Sequence, residues 1–482
     1  MKLVALMYLV GLGVSLTTGV EVNRPILANQ LSHTKQFELN LTWESWAADG
    51  VVRKQFLVNG QFPGPPLIMD EGDNVEVTVN NFSPFNTTIH YHGIEQVGTP
   101  WSDDSILING KGRVNCRDPG VLTNMVPDSM KPVLQGMNFT AKGCLPLTNT
   151  YAQTTFAHNF SEIPPTLFDE CHATKSTEEV IEALTINNGG RYSCLIQLNK
   201  IPGNYSITAA NSGLNQKIAG FATLSYKHGR SVTSMPSINY GGVATNTGVV
   251  SLDATVVEML TPSQPSQQPD KTYILTVGRV KKAWEWSLNG YHTFGLAMEA
   301  DRPFLWDPRS AAKSPLAIGT KNGTWVDIIF SLSGNVSTLQ PGHPLHKHSN
   351  RVYVLGSGSG SFKWTSVADA VKAIPESFNL INPPMRDTFT TLPAWKGESW
   401  MAIRYHVQNP GAFLLHCHID PHLTGGMALA ILDGLDSWPR IPVQYGPQGQ
   451  WQILLGTRYT YDHRVWRTGL PVRSAVLKPH AG

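Results

Sequence analysis

"FLLHCHIDPHLTGGM", residues 413–427, places three histidines, one cysteine and one methionine in a single short run. His416 and His418 flank Cys417. Side chains on a strand alternate with period two, so the two imidazoles share one face and the thiol takes the other. One piece of backbone can therefore touch two metal sites. Ligand type then selects the metal: two histidines, one thiolate and a long axial methionine make a blue-copper electron-transfer site. Cys417, His422 and Met427 supply three of those four ligands, and the second histidine must arrive from elsewhere, with His343 the candidate. Structural zinc would want a closed, Cys-rich set with C-x-x-C spacing, which this chain does not have.

Two more groups repeat the pattern. "HYHG" carries His90 and His92, and "HPLHKHSN" carries His343, His346 and His348. Any one H-x-H pair reads as readily as a structural or surface feature. Three pairs together with the Cys–Met loop read as a metal-binding set. His406, in "RYHVQNPG", reads as a structural strand residue.

The elements that must position these ligands are strands. Charged residues are 15% of the chain, against roughly 25% in an average soluble domain, and there are 43 glycines and 33 prolines. "NVEVTVNN" (74–81) alternates apolar and polar residues as a half-buried strand does. "TYILTVGRV", "TWVDIIFSLSG", "NRVYVLGSGSG" and "GESWMAIRYHV" continue the series, each bounded by Gly, Pro or Asn. "SVADAVKAI" (366–374) is the one helical segment. "TPSQPSQQPDK" (261–271) is polar and Pro-rich, the mark of a linker. A chain of 482 residues suggests roughly three domains, and the expected fold is all-β, a series of sandwich or barrel units.

A net charge of +2 gives no reason to expect nucleic acid or an anionic membrane surface as partner. Met1-Lys2, the apolar Leu3–Leu16 stretch and small residues near Gly19 read as a secretory leader over residues 1–19. Asn-X-Ser/Thr sequons follow at Asn40, Asn81, Asn86, Asn138, Asn159, Asn204, Asn322 and Asn335, as in an exported glycoprotein. Of five cysteines, Cys116, Cys144, Cys171 and Cys194 lie together and suit two disulfides in any of three connectivities. Cys417 stands apart as the metal thiolate.

"HYHGIEQVGTPWSD", "HPLHKHSN" and "HCHIDPHLTGGM" resemble the first, third and fourth copper motifs of the multicopper oxidases, and most closely those of fungal laccase and ascorbate-oxidase-like enzymes. "QFELNLTWE" and "VNGQFPGPPLIMDEGDNVEVTVNN" resemble the family's first cupredoxin domain. The resemblance implies three cupredoxin-like β-sandwich domains and four coppers. It also implies a reaction in which single electrons from a small aromatic substrate enter at a mononuclear copper and reduce O2 to water at a trinuclear cluster. Carried over by position, the electron-accepting copper would take His343, Cys417, His422 and Met427. The cluster would take His90 with His346, His92 with His418, and His348 with His416, and Cys417 would be wired to it through His416 and His418. Asp103 matches an acidic residue near the family's water channel, where it would relay protons, though a lone loop Asp is as readily a turn residue. Asp420 would support the ligand loop. The product is expected to be a secreted, extracellular monomer that oxidises phenols, in pigment or secondary-metabolite formation. An ascorbate- or iron-oxidising relative is the alternative, but no carboxylate in "LQPGHPLH" favours iron.

The family's second H-x-H motif is missing. No H-x-H lies between His92 and His346, where His158, His172, His228 and His292 are isolated. After Asp103-Asp104 the chain runs directly into "SILINGKGR", which resembles the family's second domain, and a further compression falls within "STEEVIEALTINNGGRYSC". The expected organisation is a truncated first domain (20–104), a truncated second domain (105–260), the linker, and a third domain (272–482) that holds the whole blue site. A catalytically incomplete copper-binding isoform is the reading this loss suggests.

Overall fold

The computed structural model describes residues 34–103, apart from 49, 51, 71–72 and 85–88. It describes residues 263–441, apart from 281–284, 295–303, 333–339, 395–396, 420–421 and 424. It also describes strands and turns between 153 and 259 and short strands near both ends. Cys116, Cys144, Cys171, Asp420, the 105–113 stretch and the 178–182 half of the compressed segment lie outside these residues, as does the side chain of Cys194.

Near the N-terminus, β1 (Thr34–Trp46) pairs antiparallel with β2 (Arg53–Val58) and parallel with β3 (Asn74–Asn81). Strand Tyr459–Arg464 adds to the free edge of β3. Alternation in β1 and β3 sends Leu39, Leu41, Val77 and Val79 to one small buried cluster. Among the described residues this unit is one sheet with no facing partner, and Ile68 (74% exposed), Phe62 and Phe82 are left open to water. In the middle of the chain, β4 (Gln153–His158), β5 (Ala183–Asn187), β6 (Asn204–Asn211) and β7 (Ala219–Ser225) form a sheet in the order β7-β6-β4-β5. Strands Val4–Val10 and Gly13–Thr18 pair with each other at the end of a neighbouring sheet.

The C-terminal unit is a two-sheet sandwich. Its strands are β8 (Lys271–Arg279), β9 (Trp286–Ser287), β10 (Ala317–Gly319), β11 (Trp325–Leu332), β12 (Pro344–Lys347) and β13 (Val352–Ser359). β14 (Met385–Arg386), β15 (Thr388–Thr390), β16 (Ser399–His406), β17 (Gly411–Cys417) and β18 (Ala428–Asp433) complete it. One sheet runs β9-β8-β11-β16-β13-β14 and the other β10-β18-β17-β12-β15. In β11, Val326, Ile328, Phe330 and Leu332 fill the space between the sheets, while Ile329 turns outward beneath helix α1 (Val367–Ala373). Each such buried aliphatic or aromatic side chain contributes about 1.5–3 kcal/mol. The helix begins where the side chain of Ser366 accepts from the Asp369 amide, an N-cap that satisfies one of the orphan donors of its first turn.

The linker is not slack. Residues 263–270 hold no strand, yet Ser263 meets the Tyr353 hydroxyl at 2.6 Å. The guanidinium of Arg404, itself paired with buried Asp327, donates to the Ser266 carbonyl.

Candidate metal centre

β12 and β17 lie side by side and antiparallel, with His346 opposite His416 and Leu345 opposite Cys417. Along β17, Leu415 and Cys417 face the core between the sheets, whereas Ala412 and Leu414 face the outer cluster, so alternation places Cys417 inward and His416 outward. Beyond Cys417 the chain loops back into β18. The His422 amide donates to Ile419 O (2.8 Å), the Met427 amide to His422 O (2.9 Å) and the Cys417 amide to Met427 O (3.0 Å). Gly426, at φ +99, makes the turn that an L side chain would resist.

The inner site gathers three donor atoms. His343 Nδ1 and His422 Nδ1 lie 3.2 Å apart, and Cys417 Sγ lies 3.8 and 3.7 Å from them. A point equidistant from all three is about 2.1 Å from each, the length of a metal–nitrogen or short metal–sulfur bond. His343 is fixed by a pair of hydrogen bonds with Thr391. The Ile419 amide donates to Cys417 Sγ at 3.5 Å, which favours the thiolate. Met427 is fully buried in the same core cluster. Burial, reinforced by the charge of Arg279, holds His343 down to about pKa 3, and burial drives His422 well below its ordinary value, so both imidazoles are neutral donors at neutral pH.

The outer site gathers six imidazoles. His90 stacks on His348 and His92 on His346, each pair with ring centroids 3.7 Å apart. His90 Nε2 comes to 3.1 Å from His346 Nε2, and His348 Nε2 to 3.3 Å from His416 Nε2. The ring of His418 lies 5.2 Å from that of His92. Hydrogen-bond partners decide the tautomers. His346 Nδ1 faces the Asp387 carbonyl and His416 Nδ1 the Cys417 carbonyl, both at 3.0 Å, and a carbonyl only accepts. His90 Nδ1 and His348 Nδ1 face the two carboxylate oxygens of Asp103 at 2.8 and 3.2 Å. All four Nδ1 atoms therefore donate, and all four Nε2 atoms present lone pairs. Two pairs of lone pairs about 3 Å apart are unfavourable unless a cation sits between them, so the donor set fits bound metal.

Asp103 is thus placed beside the cluster as an orienting group. Burial alone would raise its pKa, but His348 and His90 outweigh that and hold the carboxylate well below its usual range. A 3-10 turn, Pro100–Ser102, carries it there, and Trp101 buries against Ala412, Leu414 and Ala430. Asn409 fastens the same loop. Its side chain accepts from the Gly98 amide (3.1 Å) and donates to Glu95 O (2.7 Å) and Ser349 Oγ (2.9 Å), next to His348. A turn from the middle of the chain closes one side of the cluster. Arg191 donates to Gly189 O (2.6 Å) and Asp387 Oδ2 (2.8 Å) and touches His92 Nδ1, which also lies 3.1 Å from Asp387. His92 is pressed down to about pKa 3 by burial, which prevails over Asp387.

Comparison with known proteins agrees with this chemistry. The multicopper oxidase family matches over residues 266–436 and again over 40–108. Laccase abr2 of Aspergillus fumigatus is 33% identical, across 85% of this chain and 96% of that protein. The chain belongs to the multicopper oxidases. It is a copper-dependent oxidoreductase of a family that uses O2 as acceptor. Multicopper oxidase GIP1 of Gibberella zeae is 31% identical, over 84% of each chain. The fold matches the solved structures of Fet3p, a multicopper oxidase that functions in iron import (TM-score 0.61, 16% identity, 86% of this chain and 94% of that one), and of a laccase from Botrytis aclada (TM-score 0.60, 16% identity, 86% and 90%). The expected all-β, cupredoxin-like sandwich architecture therefore holds. The alignment with laccase abr2 spans 566 residues, more than the 482 of this multicopper oxidase, so this chain passes over internal stretches that the relative carries.

The structure brings together every histidine of the three motifs, with Cys417 at the inner site and Met427 buried in the same core cluster. His406 lies elsewhere, stacked on Trp325 at 4.7 Å. Spacing did not reveal Asp387, which touches both His92 and His346, nor Arg191, Asn409 or Trp286. Asp387 and Asn409 are single polar residues in short connections, where only their burial at 2% and 1% exposure marks them.

Proposed function

We propose that this chain is a secreted laccase-type oxidase that takes single electrons from phenolic or aromatic substrates and acts as a monomer in pigment or secondary-metabolite formation. The observation that carries this reading is the convergence of His343 Nδ1, Cys417 Sγ and His422 Nδ1, joined through one residue of backbone to a second cluster of imidazole lone pairs. Bound copper would supply one-electron acceptance at the inner site and oxygen reduction at the outer one. His343, Cys417 and His422 would hold the first metal with Met427 as the weak axial contact. His90, His92, His346, His348, His416 and His418 would hold the others. Cys417 links the two sites, since its neighbours on both sides are cluster histidines. Asp103, held as a carboxylate, keeps the protons of His90 and His348 on Nδ1 and stands within reach of the outer site as an acceptor in a proton relay. The leader and the sequons support export; among the described residues no helix is long and apolar enough to cross a membrane.

One observation favours a second reading. The missing H-x-H leaves the outer cluster two histidines short of the family's set, and the passed-over alignment stretches agree with truncation of the regions 20–104 and 105–260. In that reading the chain takes up copper and electrons without reducing O2. Copper per chain together with O2 uptake separates the two. Rates with a phenol, ascorbate and a ferrous salt separate the laccase reading from its relatives. A chain that binds copper and consumes no O2 with any of the three would sink the oxidase reading.

A further inference from the structure

The inner site is flanked by a stack that the ligand set does not require. The indole of Trp286 lies on the ring of His422, centroids 4.0 Å apart, and meets His343 edge-on at 5.2 Å. The guanidinium of Arg279 in turn lies over Trp286, 4.8 Å from its centroid. The two residues sit on adjacent strands, with Arg279 paired to Trp286 in the β8–β9 register, and the Trp286 amide donates to Gly425 O in the ligand loop. Trp286 is 3% exposed. Nε and Nη2 of Arg279 are buried and have no hydrogen-bond partner among the described residues.

We propose that Arg279, held against the electron-accepting site by Trp286, is a positioning residue whose fixed positive charge raises the reduction potential of that site. The inference rests on the inner site holding copper. Adding an electron lowers the positive charge of such a site by one, so a nearby cation favours the reduced form. The two stacking distances put the guanidinium no further than about 9 Å from the His422 ring, inside the roughly 10 Å Debye length at 0.1 M salt. Indole faces are negative and bind guanidinium well, so Trp286 keeps the cation from swinging into water. The same charge adds to burial in keeping both His343 and His422 unprotonated.

The test is a redox titration of the blue absorption in the copper-loaded full chain, comparing wild type with Arg279→Gln, Arg279→Lys and Arg279→Glu. The expected result is a lower potential for Gln, a still lower one for Glu, and most of the wild-type value for Lys. A tenfold change in the one-electron equilibrium constant would read as a 59 mV fall. Unchanged potential in Arg279→Gln overturns the proposal, and so does a Lys variant that falls as far as Gln, because packing rather than charge would then be responsible. Should the Gln variant fail to fold, Arg279→Met, a neutral unbranched side chain for the same indole face, takes its place. A potential equal to wild type in that variant overturns the proposal. Wild-type protein that takes up copper without any blue band defeats the site assignment itself, and the proposal with it. That failure is distinct from a blue protein whose potential ignores residue 279.

Discussion

Replacing Asp103 by Asn tests the logic of the outer cluster. The carboxylate is 1% exposed and accepts from two rings at once, His90 at 2.8 Å and His348 at 3.2 Å. An amide offers one acceptor oxygen and one donor nitrogen in the same space. The oxygen can satisfy only one ring, and the shorter contact favours His90. The other ring, His348, then faces an N–H group with its own Nδ1–H. Its cheapest response is to move the proton to Nε2 and accept from the amide, which removes a lone pair from the cluster beside His416. Loss of one hydrogen bond to a charged group costs about 1.5–3 kcal/mol, and disturbing such an orienting partner typically weakens metal binding about 10–100-fold. The assay is copper retained per chain after dialysis against a graded chelator, read together with the blue absorption. Asp103→Asn should lose cluster copper at lower chelator concentration and keep its blue band, because the inner site shares no atom with Asp103. Retention of copper equal to wild type would refute the tautomer argument. Equal loss of the blue band would show that Asp103 supports the fold rather than the cluster.

Other predictions follow from the same geometry. Lys347, fully buried between His346 and His348 in sequence, pairs with Asp433 at 2.9 Å; Tyr405 and Thr320 donate to that carboxylate too. Asp433→Ala leaves a buried ammonium uncompensated and should lower stability by about 3–5 kcal/mol in urea unfolding, whereas no change would mean water reaches the amine. Gly189 has φ +78, and a Cβ there would overlap the His418 ring, so Gly189→Ala should cost about 1–3 kcal/mol in strain and loosen cluster copper in a chelator titration. The metal-free protein should be pH-sensitive in one direction. His92 and His343 bind protons near pH 6.5 when unfolded and only near 3 when folded, so the unfolded state binds more protons between those values. Stability should be full above about pH 6.5 and fall steadily toward pH 3; a thermal midpoint that is flat across this window would contradict the burial of these rings.

Periodicity carried much of this molecule. The alternation in 74–81 and in 325–332 specifies strands whose apolar faces do bury, and the segment read as helical, 366–374, holds helix α1. The ligand sets are legible because H-x-H and H-C-H place donors by a rule as simple as strand alternation. Contacts between distant segments follow no such rule. That Asn409 should clamp the 95–98 loop, that Asp387 should reach His92, or that Trp286 should lie on His422 depends on which strands become neighbours. Parallel pairing of β1 with β3, across a hairpin-like stretch, is equally invisible in composition. A sequence reading treats 261–271 as free linker, whereas the buried Arg404–Asp327 pair reaches out to bind it.

Whether His343, Cys417 and His422 form a copper–thiolate centre is decided by the visible spectrum of the copper-loaded full chain beside Cys417→Ser. The predicted result is an intense blue thiolate-to-copper band in the wild type that is absent from Cys417→Ser, while copper at the histidine cluster remains countable in both. A wild-type protein that binds copper with no such band, or a band that survives removal of the Cys417 sulfur, would contradict it.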